Sequence, residues 1–364
     1  MTLAVSIAQG GSNNVTQRNR IINGAMVIDQ RNAGASVTPT TNQYSLDRWE
    51  FYVTQSSKVT FQQNAGSVTP PAGFKNYLGF TVGASANVTV GATDLFIIDQ
   101  YIEGYNIADL GFGAAGASTV TLSFWVRSSL TGTFGGSLTN SGNSRSYPFT
   151  YTISAANTWE QKTLTVSGDT AGTWLSTNGT GLGVRFSIGT GSTYLGTAGT
   201  WAGAGYFGAT GQTNLVTTNS ATFYITGVQL EAGTTASPFE YRQYGTELAL
   251  CQRYYEKSYN IDVVPGTSTA VGIISGFGVQ GATSTLEVDA GASFKANKRA
   301  TPTIAYWDQV GNSGKCTRVQ LGVTGNNNST IADNNIGASS FFSYSASGAT
   351  ASAIWFHYTA TAEL

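Results

Sequence analysis

The sequence predicts an all-β protein: a jelly-roll-type antiparallel β-sandwich, then a smaller C-terminal β domain, the two joined by one short helix. Three observations predict it. Apolar and polar residues alternate in segment after segment, which is the period of a strand with one buried face. Forty-five Gly supply turns, while 41% hydrophobic and 12% aromatic residues are enough to fill a core. A helical period occurs in one place only, near residue 250.

At 364 residues the chain is long enough for two cores. Residues 1–19 are small and polar, with GGSNN at 10–14, and read as an arm that orders against a partner. The first module then runs over 20–245. It opens at Asn23 and Gly24, a turn pair beside β-branched residues. Trp49, Phe51 and Val53 alternate with Glu50, Tyr52 and Thr54. Residues 95–102 are apolar on both faces. Val120, Leu122, Phe124 and Val126 share a face, as do Phe149, Tyr151 and Ile153, and Val184, Phe186 and Ile188. At Gly227 the apolar parity switches, which predicts a bulge. Strands recur roughly every 15 to 30 residues with no helical pattern between them, as in a sandwich with long loops.

The joint follows at 246–259. Leu248, Cys251 and Tyr255 stand at i, i+3 and i+7, with Leu250 and Tyr254 at i and i+4. Thr246 would cap this helix, over about 246–257. The C-terminal β domain covers 260–364, with strands near 269–279, 284–288, 302–307, 315–323 and 352–360. The Asn-rich stretches 325–328 and 333–335 read as a mobile polar connection.

Charge bounds the function. Only 10% of residues are charged, and the net charge is −1. Nucleic acid is not an expected partner, because phosphate binding needs Lys and Arg. The one basic cluster is Lys295, Lys298 and Arg299. A membrane is not an expected partner either: there is no basic amphipathic helix and no apolar run of about 18 residues. No Lys or Arg precedes Arg18, so no signal peptide is expected. A neutral, hydroxyl-rich surface without an export signal suits a particle assembled in a cytoplasm and released by lysis.

No enzyme is expected. GxGxxG patterns begin at Gly111 and Gly203, but neither opens a helix. His357 is the only histidine, so a Ser–His–Asp arrangement would have to use it, but it lies in an apolar strand and reads as a packed or interface histidine. Asp99 and Glu103 on one strand would stand about 13 Å apart, too far for a glycosidase pair. Two cysteines and one histidine make no transition-metal site and no disulfide framework. No cofactor is expected, with structural calcium left open because it needs only oxygen ligands.

Two groups of candidate residues remain. The loop 193–207 places Tyr194, Trp201 and Tyr206 among glycines and hydroxyls, where no strand alternation requires them. Sugar rings stack on such faces, so these three are glycan-binding candidates. Alternatively, they close the end of the sandwich. In the last strand, Ile354 and Phe356 face one way, Trp355 and His357 the other. A strand apolar on both faces must be covered on both, so these four are candidates for an oligomer interface.

Several segments resemble the carbohydrate-binding-module-like tail fibre and minor structural proteins of tailed bacteriophages. They are 20–26 (RIINGAM), 44–49 (YSLDRW), 121–126 (TLSFWV), 223–231 (FYITGVQLE), 238–242 (PFEYR), 247–256 (ELALCQRYYE), 298–303 (KRATPT) and 358–364 (YTATAEL). The resemblance runs from about residue 18 to the end. It implies a homotrimeric virion fibre or spike that binds host cell-surface glycans and meets other virion proteins through its N-terminal arm. It transfers no binding residue. A purely structural fibre or adaptor without ligand is the alternative, and a glycan hydrolase the second.

Overall fold

In a computed structural model the chain is described over residues 17–277, 286–320, 323–347 and 353–364. The first module holds β1 (Gln43–Leu46), β2 (Trp49–Val53), β3 (Val59–Gln63), β4 (Leu78–Val82), β5 (Leu95–Glu103), β6 (Val120–Ser128), β7 (Gly132–Thr139), β8 (Ser146–Ile153), β9 (Glu160–Val166), β10 (Thr180–Thr190), β11 (Leu195–Gly196), β12 (Gly208–Ala209) and β13 (Thr222–Ala232). They form two antiparallel sheets, ordered β1-β2-β5-β10-β7-β8 and β3-β4-β13-β6-β9, plus the short parallel pair β11-β12.

The alternation read from the sequence is what joins the sheets. The inward rings of one meet those of the other: Phe51 lies 4.9 Å from Phe80, and Phe124 lies 4.9 Å from Phe186. The module is a jelly-roll-type sandwich over one hydrophobic core. The bulge falls where the parity switch put it. The register of β13 against β6 slips between Thr226 and Gln229, and Gly227 has φ +61°. Residues 88–90 form no strand, although Val88 is buried.

The arm begins earlier than expected to be part of the sandwich. Asn19 is buried: its side chain accepts from the Leu230 N–H and donates to the Val228 carbonyl. Residues 1–16, most of the expected arm, lie outside the described residues.

The helix α1 spans Tyr244–Gln252, starting two residues before the expected Thr246 cap and ending earlier. Its buried residues are Glu247, Cys251 and Gln252. Leu248 and Leu250 are only half-buried, because a polar contact sets the helix face: the Glu247 carboxylate accepts from the Asn23 N–H and from Arg242.

The C-terminal domain holds β14 (Tyr255–Lys257), β15 (Ile274–Phe277), β16 (Leu286–Ser293), β17 (Thr303–Trp307), β18 (Lys315–Gln320), β19 (Val323–Thr330), β20 (Ala332–Asn334), β21 (Ser340–Ser347) and β22 (Ala353–Thr361). The Asn-rich stretches are strands, not a connection: β19 pairs with β18, and β20 with β21. Backbone pairing in a ladder does not require apolar side chains.

The last strand, β22, is the hub of this domain. It pairs with β14, β15, β17 and β18. Ile354 and Phe356 are fully buried in the domain's own core, with Tyr306 and Phe341. His357 is fully buried on the other face, stacked on Tyr259 at 3.8 Å. Trp355 is half-buried. The need for a second subunit to cover this strand is therefore removed: the chain covers both faces itself.

Several of the scarce charges gather where the two modules meet. Arg31 and Arg48 of the first module both reach Glu363. Arg253 after the helix grips Glu103 of β5. The basic cluster turns inward: Lys298 pairs with Glu256, and Arg299 donates to the carbonyls of Ala362, Glu363 and Asn178.

Candidate functional site

The outer face of the six-stranded sheet is the polar one, and register decides which residues meet there. Glu50 of β2 pairs with Asp99 of β5, which pairs with Arg185 of β10, then Ser137 of β7, then Pro148 of β8. One position along, Tyr52 pairs with Ile97, and Ile97 with Ser187. The segment 191–217 crosses part of this face. Ser146 holds it, exchanging backbone hydrogen bonds with Ala202 and donating through Oγ to the Ala204 carbonyl. Gln212 Nε2 donates to Ser187 Oγ at 2.6 Å.

What remains open is a cleft of about 120 Å³, lined by Tyr52, Ile97, Asp99, Tyr101, Arg185, Phe207 and, from the β7–β8 turn, Asn143. Its floor is charged and rigid. Arg185 is buried; Nη1 donates to Asn143 Oδ1 and Nη2 to the Tyr101 hydroxyl, both at 2.9 Å. Its Nε lies 3.7 Å from Asp99 Oδ2. The Phe207 ring caps the guanidinium at 4.2 Å. Asp99 Oδ1 is buried and has no hydrogen-bond partner. Burial pushes the Asp99 carboxyl up, against the pull of Arg185, and Glu50 adds to the rise. Glu50 is also raised, by burial first, against Arg185 and Arg31.

The rim is aromatic. Tyr52, Tyr101 and Phe207 are each half-buried. Tyr194 stacks on Phe207, with ring centres 5.2 Å apart and planes 8° from parallel. Rigid rings beside fixed hydrogen-bonding groups suit a ligand with apolar faces and polar edges.

The three expected stacking residues have different surroundings. Tyr194 lies at this rim, behind Phe207. Tyr206 lies against Gly196, where an added Cβ would meet its ring at 2.4 Å. Trp201 belongs to another cluster: it meets Tyr147, Trp174 and Phe112 at 5.2, 5.5 and 5.9 Å, and its Nε1 donates to the Ser167 carbonyl. Trp201 thus packs against the sandwich core, as the structural alternative had it. Phe207, Tyr101, Arg185 and Asn143 were missed. The signal for Tyr101 and Arg185 was the outward parity of 50, 52, 99, 101 and 185, which needs the strand order to become a site; Phe207 and Asn143 lie in loops, where no period marks them. Glu103, spaced against Asp99 in the sequence, is bound to Arg253 and Tyr254. The carboxylate opposite Asp99 is Glu50.

A larger crevice of about 700 Å³ lies at the joint, lined by Arg18, Arg20, Tyr105, Asp109, Glu231 and Arg242 among others. Two of its cations are already engaged, Arg20 with Asp109 and Arg242 with Glu247. Among the described residues no group of three or more His, Cys, Asp or Glu could hold a metal ion. No helix among them is long and apolar enough to cross a membrane.

Fold and cleft together define a two-module β protein with an aromatic-rimmed polar cleft on one sheet. No protein-family model matches the chain, and no curated protein matches it. Solved structures do resemble it. One is the enzymatically active domain of tailspike protein 4 of bacteriophage CBA120, at 13% identity and a TM-score of 0.33 over 59% of this chain; only 21% of that chain is covered. Another is the module TmCBM61 in complex with β-1,4-galactotriose, at 10% identity and a TM-score of 0.30 over 60% of this chain and 100% of that one. A third is a family 11 carbohydrate-binding module from Clostridium thermocellum, at 9% identity and a TM-score of 0.27 over 54% of this chain and 97% of that one. At such scores the likeness assigns neither family nor function.

Proposed function

We propose that this protein binds glycans without cleaving them, and that the cleft over Arg185 is where it does so. The observation that carries the reading is the cleft itself: half-exposed Tyr52, Tyr101 and Phe207 around a braced floor of Asp99, Asn143 and Arg185. Sugar rings present C–H faces to aromatic rings and hydroxyls to such a floor. Glu50 and Asp99 face each other as hydrolase carboxylates would. However, the Asp99 side chain is only 2% exposed, too deep to reach a glycosidic oxygen. Binding without hydrolysis is the reading this favours.

The wider setting is a virion fibre or spike of a tailed bacteriophage, assembled in the host cytoplasm as a homotrimer and attached through its N-terminal arm. What supports it is the set of resembling segments, from RIINGAM at 20–26 to YTATAEL at 358–364. Mass in solution tests the trimer. A glycan array with the full chain tests the rest. Binding should be lost or weakened about fivefold in Phe207→Ala, the cost of about one stacking contact. No binding to any array glycan would leave a structural fibre component. Release of reducing ends would restore the hydrolase reading.

A further inference from the structure

We propose that the chain has a second saccharide site, between the loop before β4 and the start of α1, which takes a sugar ring carrying a carboxylate. This inference rests on the carbohydrate reading of the chain and extends it to a separate place. The site is a pocket of about 360 Å³, within the range of about 300–1,000 Å³ common for small-molecule sites.

The bulge in β13 builds it. Gly227 leaves its backbone bare, and Phe74 lies against it: an added Cβ would meet the Phe74 ring at 2.6 Å. Phe74, Phe239 and Tyr241 then form a triangle of rings, with centres 5.1, 5.3 and 4.8 Å apart. The Tyr241 hydroxyl donates to the Gly73 carbonyl at 2.9 Å and fixes the ring. Tyr241 is nevertheless 55% exposed, and Tyr244, at the start of α1 on the same wall, 52%. Most rings of this chain are buried or half-buried, so two bare tyrosines on one pocket are an unfilled stacking surface.

Charge selects the ligand. Three ionic side chains line the pocket, Lys75, Arg242 and Glu247. Arg242 and Glu247 neutralise each other, with Nη1 3.3 Å from both carboxylate oxygens. Lys75 is exposed and has no carboxylate partner among the described residues. Arg242 also lies 3.8 Å from Glu240, so the one uncompensated charge at the pocket is that of Lys75. The lining of the cleft over Arg185 holds one guanidinium, and Asp99 lies 3.7 Å from it, so that cleft offers no free cation. A uronate ring stacked on Tyr241 and Tyr244 would place its carboxylate toward Lys75, whereas the first cleft has no unpaired cation to receive one.

The test is titration of the full chain with an oligogalacturonate and with a neutral galacto-oligosaccharide of equal length. Tyr244 and Lys75 are exposed, so Tyr244→Ala and Lys75→Ala leave the fold intact. Each should weaken oligogalacturonate binding about fivefold, the first through lost stacking and the second through lost charge, and leave the neutral sugar unchanged. Oligogalacturonate binding should also weaken with added salt. Phe207→Ala should show the opposite selectivity. If oligogalacturonate binds but neither Tyr244→Ala nor Lys75→Ala affects it, the second site is refuted while the first reading stands. If only the neutral sugar binds, the second site is refuted in the same way. If neither sugar binds and the array is also blank, the carbohydrate reading falls and takes this inference with it.

Discussion

The Arg253 guanidinium holds the Glu103 carboxylate with two hydrogen bonds, 2.6 Å from Nη2 and 2.9 Å from Nε. Glu103 ends β5 of the sandwich, and Arg253 follows the helix, so this pair fastens one module to the other. The Glu103 side chain is 1% exposed and that of Arg253 33%. Arg253→Ala would leave a buried carboxylate with only the Tyr254 hydroxyl. Breaking a fully buried pair costs about 3–5 kcal/mol. With one partner a third exposed, solvent screening lowers the expected loss to about 2 kcal/mol. Denaturant unfolding measures it, and Arg253→Lys should recover part, since a lysine replaces the charge but not the two-pronged geometry. An unchanged midpoint in Arg253→Ala would mean the modules are held elsewhere.

Much of the sandwich was legible because a period of two is a local signal. The strands around Phe51, Phe124, Phe149 and Phe186 and the bulge at Gly227 all announce themselves within a few residues. The cleft was not legible in this way. Glu50, Asp99 and Arg185 meet only through the order β2-β5-β10, which no local pattern encodes. The Asn-rich strands were misread for a related reason: their partners are backbone groups of β18 and β21, and side-chain pattern is silent about those. The two readings of Trp201, stacking face or closure of the sandwich end, stayed open because a glycine-rich loop carries no periodicity from which to infer its packing.

Rigidity of the rim is testable at Gly196. Its backbone lies against Tyr206, and Tyr206 precedes the cleft's Phe207. A side chain here must push the Tyr206 ring, since its Cβ would come within 2.4 Å of it and 2.8 Å of Pro148. Gly196→Leu should lower stability by about 1–3 kcal/mol, the usual cost of overpacking. It should also weaken glycan binding, because the rim shifts. If stability falls while affinity holds, the rim takes no part in binding.

Stability should depend on pH through the buried aspartates. An unfolded aspartate titrates near about 3.9. In the folded chain, burial pushes Asp99 up to about 7 and Asp47 up to about 6. Between those values the folded state holds more protons than the unfolded one. Their contribution is thus fully present below about pH 4 and lost as pH rises through 6 and 7. His357 acts in the opposite sense: burial lowers its value, so its contribution grows as pH rises toward about 6.5. Comparing Asp99→Asn with the parent isolates the first effect. The variant should gain stability relative to the parent as pH rises from about 4 to about 7. A constant difference across that window would show that Asp99 is ionised throughout.

The basic cluster supplies the last prediction. Lys298 and Glu256 are each fully buried, side chains included, and lie 2.6 Å apart. Around them the Tyr358 hydroxyl donates to Glu256 Oε1 and the Lys295 N–H to Oε2. Lys298 Nζ also donates to the Gln252 carbonyl at the end of the helix. Two buried charges are expensive to desolvate, and burial does hold the Lys298 ammonium below its usual value. The pair is therefore a fastening that penalises its own breakage more than it stabilises the fold. Lys298→Met should destabilise by about 3–5 kcal/mol, because Glu256 is left buried and charged. Glu256→Gln should cost a similar amount through an unpaired ammonium. The double variant Lys298→Met with Glu256→Gln should lose much less than the sum of the two, since neither charge is then stranded. Denaturant unfolding of all four proteins closes the cycle. Additive losses would show that each residue acts through its other contacts, with the ion pair between them contributing nothing.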